Sequence, residues 1–215
     1  DREGKWQGVL ATSWKRIDDY TMEFKLREGV KFHNGEPFDA NAVKFTVDRA
    51  IEPARITEHQ YSAFRIIAGA EVVDPYTVRV KTKEPDPVLI NKLGSSACWI
   101  VPPGYLKEKG NDYFATHPVG TGPYKFVSVA ADGDLVFEAN EQYWGGKPSI
   151  PRVRWRVVPE TGARMAELLA GTADVIVNVP YDQIDTLSAN PKVSVRVSNS
   201  IRTPYLQLDC MVPPT

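Results

Sequence analysis

A mixed α/β protein in two lobes is what this sequence predicts, and three observations carry the prediction. Thr21 to Arg27 alternates Met22, Phe24 and Leu26 with Glu23, Lys25 and Arg27, the period of a strand with one buried face. Asp74-Pro75 and Asp132-Gly133 each stand between alternating runs, as the turns of hairpins do. From Arg152 to Val179, strand, helix and strand patterns follow one another within about 30 residues, the spacing of a βαβ unit with a right-handed crossover.

Taken in order, the strand at 21–27 leads into the turn Asn34-Gly35. Pro37 stiffens the chain there, and Asp39 can cap a helix whose Val43, Val47, Ala50 and Ile51 share one stripe. The hairpin around Asp74-Pro75 pairs Glu71–Val73 with the alternating Tyr76, Val78 and Val80. Helical pattern returns at Val88–Leu93 and Tyr105–Lys109, separated by Pro102-Pro103-Gly104, a loop or a helix start. Lys107 to Pro118 is polar and turn-rich, so a domain junction is placed there, dividing the chain into 1–117 (α+β) and 118–215 (α/β). Beyond it, Tyr124–Val129 and Leu135–Ala139 form a hairpin, and Arg152–Val158 a strand. A helix at Thr161–Ala170 turns Met165, Leu168 and Leu169 inward and ends at Gly171. Val175–Val179 reads as a strand, Pro180 starts a helix carrying Ile184 and Leu187, and Val193, Val195 and Val197 mark a last strand. No internal repeat is visible.

The bulk numbers exclude several classes. With 215 residues, 42% of them hydrophobic, the chain can bury about 70% of its unfolded surface, enough for one large or two small domains. Twenty-six basic residues against 27 acidic ones give a net charge of -1, and no segment concentrates Lys or Arg as a phosphate-binding surface would, so nucleic acid is not expected as a partner. No apolar run approaches the roughly 20 residues of a membrane span. Asp1-Arg2-Glu3-Gly4-Lys5 has no leader character, so any export signal is expected to lie outside this sequence. Cys98 and Cys210 are too distant for C-x-x-C chemistry. They are expected as separate buried thiols, with a disulfide left open for an oxidising compartment.

Catalytic readings find little support. His33, His59 and His117 are scattered, with no H-x-x-x-H or H-E-x-x-H spacing, and no metal or cofactor is expected; His33 falls in a turn, where a hydrogen bond is its expected task. Ser95-Ser96 beside Gly94 lacks G-x-S-x-G. Gly120-Thr121-Gly122-Pro123 superficially suggests a nucleotide loop, but Pro123 removes a donor and a strand follows where a helix should start, so close backbone approach is the better reading. Arg152, Arg154 and Arg156 on one strand face are a candidate anion stripe, with a solvated sheet face as the plainer account. Five Trp and nine Tyr exceed the needs of such a core, and aromatic side chains suit binding clefts.

Three blocks carry a resemblance. Gly29-Val30-Lys31-Phe32-His33-Asn34-Gly35-Glu36-Pro37-Phe38-Asp39-Ala40, Pro118-Val119-Gly120-Thr121-Gly122-Pro123-Tyr124 and Asn140-Glu141-Gln142-Tyr143-Trp144-Gly145-Gly146-Lys147-Pro148 resemble, in order and spacing, the solute-binding proteins of family 5, which serve peptide, nickel and related ABC importers. The likeness runs from about Leu10 to Asp209. It implies part of a large periplasmic-binding-protein-like fold, with an extra α+β subdomain at 1–117, the central part of the first main lobe at 118–215, and the second main lobe absent. It also implies a non-enzyme that captures a small or peptide-like solute outside the cytoplasm and hands it to a membrane ABC permease. A monomer is the default, and the site residues, chosen for expected nearness to the cleft, are Tyr61, Cys98, Trp99 and Tyr205. The rival is a ligand-sensing module of the same fold in a cytoplasmic regulator.

Overall fold

Met22, Phe24 and Leu26 of β2 (Thr21–Leu26) turn into a common core with Val78 and Val80 of β4 (Thr77–Thr82), all at most 9% exposed. The computed structural model describes residues 5–53, 64–94 and 98–198. Tyr61, His59, Tyr205 and Cys210 lie outside these residues. By contacts the chain divides into two compact units meeting at Arg156 and Val157.

In the first unit β1 (Ala11–Asp18), β2, β4 and β3 (Ile67–Asp74) form an antiparallel sheet in that order. β1 was not legible in the sequence, because as an edge strand exposed along most of its length it needs no apolar alternation. Helix α1 (Ala40–Ala50) covers the inner face with Val43 and Val47. Its N-terminus is capped as expected by Asp39, whose carboxylate accepts from the Asn41 and Ala42 amides.

The outer face is charged. Lys15 of β1, Glu23 of β2, Arg79 of β4 and Glu71 of β3 stand directly opposite one another across all four strands, signs alternating. Glu23 is 6% exposed and bonded by Arg79 (2.9 Å) and Lys15 (3.2 Å), while Lys81 reaches Glu71 at 2.5 Å. A strand expected to alternate buried with exposed thus buries Glu23 as well, because the long stems of its neighbours close over the carboxylate, while Lys25 on the same face stays exposed.

Helix α2 (Leu89–Leu93) and helix α3 (Pro103–Thr116) follow. The expected turn-rich junction over 107–118 is mostly helix: α3 runs to Thr116, broken once where Gly110 takes φ 80°, a left-handed conformation glycine adopts without a Cβ clash. A second antiparallel sheet joins β5 (Tyr124–Val129), β6 (Leu135–Ala139) and β7 (Arg152–Trp155) in that order, so the hairpin around Asp132-Gly133 stands as expected.

In the second unit α4 (Thr161–Ala170) starts on the Glu160 carboxylate and ends at Gly171 with φ 76°, as its sequence requires. Met165 and Leu168 are half-buried there, and Leu169 is 51% exposed rather than inward. A single 3₁₀ turn, Tyr181–Gln183, leads into α5 (Ile184–Ser188), whose Leu187 is buried. The strands expected at Val175–Val179 and Val193–Val197 do not form, and with them the βαβ unit falls away among the described residues. Alternating valines favour an extended chain, but a strand needs a neighbour for its N–H and C=O groups; Val175 and Val177 instead stand 79% and 55% exposed.

Candidate functional site

The three blocks of the resemblance converge on one carbonyl. In the first, Phe32 and Glu36 close a tight turn that presents His33. The His33 amide donates to the Gly120 carbonyl (2.8 Å), its Nδ1 accepts from the Gly120 amide (3.3 Å), and its Nε2 lies 3.0 Å from the Gly122 oxygen. The same oxygen accepts from Nδ2 of buried Asn140, which opens the third block, and the Asn140 amide donates to Pro123 (2.8 Å). An accepting Nδ1 beside an N–H and a donating Nε2 beside a carbonyl fix one neutral tautomer. Burial, then the Lys125 charge, hold the imidazole below its usual pKa against the Gly122 bond, which raises it. The expected hydrogen bond of His33 is therefore present, and the glycines of the second block admit the close backbone approach it needs.

Beside this junction the first unit carries a half-open cavity of about 800 Å³. Its floor is the apolar face of the first sheet with α1; its walls are Trp6 and Leu10 from the entering chain with Trp14 of β1, Cys98–Val101, Pro118–Tyr124, and Tyr143 with Trp144. Phe126 and Phe137 meet edge-to-face at 5.9 Å on the same lining. The Arg27 guanidinium lies 4.2 Å over the Trp144 ring, whose buried Nε1–H has no acceptor among the described residues.

The cavity brings together two of the four sequence-chosen residues. Cys98 and Trp99 both line it, Trp99 at 75% exposure and Cys98 packed against the core. Their segment is held by the Val101 amide, which donates to Thr46 Oγ1 of α1 at 3.1 Å. Burial pushes the Cys98 thiol up to about 11, so it sits there as an apolar group and not as a nucleophile.

The other candidate groups are occupied structurally. Arg154 of the basic stripe bonds Asp132 and Asp134 (2.5 Å to the latter), and Arg156 reaches Asp134 at 3.1 Å. Burial raises the Asp134 carboxyl, and the bonds from Arg154 and Arg156 outweigh it, holding it below the usual range. Two of the three arginines are thus committed to a turn carboxylate. His117 stacks on Tyr113 with centroids 4.0 Å apart. Among the described residues no cluster of His, Cys, Asp and Glu is arranged to hold a metal, and no helix is long and apolar enough to cross a membrane.

Residues 5–215 match the family model of bacterial extracellular solute-binding proteins, family 5, middle region. The chain belongs to this family. The glutathione-binding protein GsiB of Escherichia coli strain K12 is 35% identical over 211 residues, which are 97% of this chain and 41% of that protein. The chain thus spans well under half the length of the curated relatives it matches. Among solved structures, the binding protein MoaA from A. tumefaciens R10, in complex with mannopinic acid, superposes with a TM-score of 0.77 at 32% identity, over 86% of this chain and 38% of its own. The ABC transporter-associated periplasmic binding protein DppA from Helicobacter pylori, in complex with peptide STSA, gives 0.74 at 27%, over 85% and 40%. The fold of this family-5 chain is accordingly part of a periplasmic-binding-protein fold, mixed in helix and sheet.

Sequence reading missed the entering chain as a wall. Trp6 and Trp14 were available as aromatics, but nothing local in the sequence places them on one lining with Trp144 and Val119.

Proposed function

We propose that this chain is the central part of a non-enzymatic binding protein that captures a small solute, peptide-like or similar, outside the cytoplasm and delivers it to an ABC permease. The observation that carries the reading is the family match across residues 5–215, with the three blocks knitted at the Gly122 carbonyl. In this reading 1–117 is the extra subdomain and 118–215 the central part of the first main lobe of a longer, monomeric protein. Cys98 and Trp99, with Tyr61 and Tyr205, face the solute. An exposed indole beside an apolar cavity is suited to stack on a solute's apolar or peptide surface, at little entropic cost because it has two rotatable side-chain bonds. The ligands named for the relatives, glutathione, mannopinic acid and a peptide, differ among themselves, so the solute is proposed as a class.

Native mass spectrometry of the intact protein, purified gently, tests the role: a retained peptide or similar small molecule supports it. Replacing Trp99 by alanine should then weaken solute binding by about tenfold or more, the loss typical of a buried aromatic anchor. Unchanged affinity in that variant would remove Trp99 from the site.

A further inference from the structure

We infer that His33 is a protonation-sensitive latch that holds the crossing loop Pro118–Tyr124, and with it one wall of the cavity, closed in the neutral form and releases it on acidification. The geometry carries this. Both ring nitrogens are used in opposite senses, Nδ1 as acceptor from the Gly120 amide and Nε2 toward the Gly122 oxygen, across 87 and 89 residues of chain.

A second proton would sit on Nδ1 and face the Gly120 N–H, turning an attraction into a donor–donor clash while the Nε2 bond persists. The ring would have to turn away, and the loop it pins lines the cavity at Pro118, Gly120 and Gly122. The surroundings favour the neutral form. Among the described residues the charged group acting on the ring is Lys125 of β5, which disfavours a second positive charge. Glu36, three residues on, has its oxygens on the Gly104 and Tyr105 amides and on Asn34; Asn140, packed from the end of β6, is neutral.

Since the folded-state value is depressed, the latch is fully closed above the ordinary histidine value and loses its hold as pH falls from there through the folded value. Two readouts on the intact protein test it. Histidine-ring NMR, with His33 assigned by its loss in His33→Gln, should show a midpoint below 6.5, the ordinary value. Hydrogen exchange of the 118–124 peptide, corrected for intrinsic rate, should lose protection by up to about tenfold per pH unit between about pH 6.5 and the ring's midpoint. Peptides from β4 should keep theirs over the same range, and in His33→Gln the loop's protection should no longer depend on pH. A ring midpoint at or above 6.5, loop protection indifferent to pH in the unmodified protein, or β4 opening in parallel would each overturn the inference; exchange of the loop and β4 peptides in the unmodified protein decides it even if His33→Gln fails to fold.

Discussion

Glu36 shows how far from its own position a single residue can act. Helix α3 begins after Pro102, which offers no capping side chain, and the two free amides of its first turn, Gly104 and Tyr105, donate instead to the Glu36 carboxylate at 2.8 and 2.7 Å. A Cβ on Gly104 would come within 2.8 Å of Glu36 Oε2, so a side chain there would make the capping carboxylate shift. Glu36→Ala is expected to cost about 1 kcal/mol, the usual loss for a removed cap, seen as a lower thermal midpoint with faster amide exchange at 103–106. Asp39, by contrast, caps its own helix and was legible in the sequence, because that cap is written within three residues; the α3 cap spans 68 and leaves no local signal. Cys98 supplies a second expectation. With its thiol raised to about 11, its thiolate fraction at pH 8 is on the order of one in a thousand, against about a quarter for an ordinary cysteine. Iodoacetamide labelling of the Cys98 peptide in reduced, folded protein should therefore be far slower than after unfolding, and equal rates would contradict the burial described.

Among the elements, the outer face of the first sheet is the most consequential. Bonds from Arg79 and then Lys15 hold the Glu23 carboxyl below its ordinary value, and the Lys81 bond does the same for Glu71. Both folded values are lowered, so this stabilisation is complete above the ordinary carboxylate range and is lost as pH falls through the folded values. Glu23→Gln should flatten the acid limb of the denaturation midpoint plotted against pH; a variant with the native slope would remove Glu23 from that account. Strands and helices with their own periodicity were readable: β2, β4, β5, β6, α1 and α4 all follow from alternation or stripe. What failed was whatever depends on a partner. The edge strand β1 exists because β2 lies beside it, and Val175–Val179 stays irregular because no described strand does.

For the molecule as a whole, the blocks that give the family away serve as internal fasteners, with His33, Gly120, Gly122 and Asn140 bonded to one another. That is why they identify the fold and are silent about the solute. Of the candidate site, Cys98 and Trp99 were chosen for the cleft proximity that the family resemblance implies, and both line the cavity, whereas its other walls come from stretches of chain far apart in sequence. A solute that binds only the folded protein should stabilise it by about 2.7 kcal/mol at a hundredfold excess over its dissociation constant. Thermal shift assays with the molecule recovered by native mass spectrometry should show that gain, reduced in Trp99→Ala at the same concentration. No shift at saturating solute would detach the recovered molecule from the folded state.

The alternating row Lys15, Glu23, Arg79 and Glu71 also bears on how the chain avoids assembling wrongly. A strand that slips by one residue puts its apolar side chains in water and is rejected on that ground. A slip by two keeps Met22, Phe24 and Leu26 facing inward and would pass the same test. On the charged face, however, the slip that moves β1 toward the end of β2 sets Lys15 opposite Lys25, like against like, and strands Glu23 opposite Ile17. The sheet therefore carries a second check on its alignment, independent of the oily one, and sensitive to one direction of the error that the first lets through.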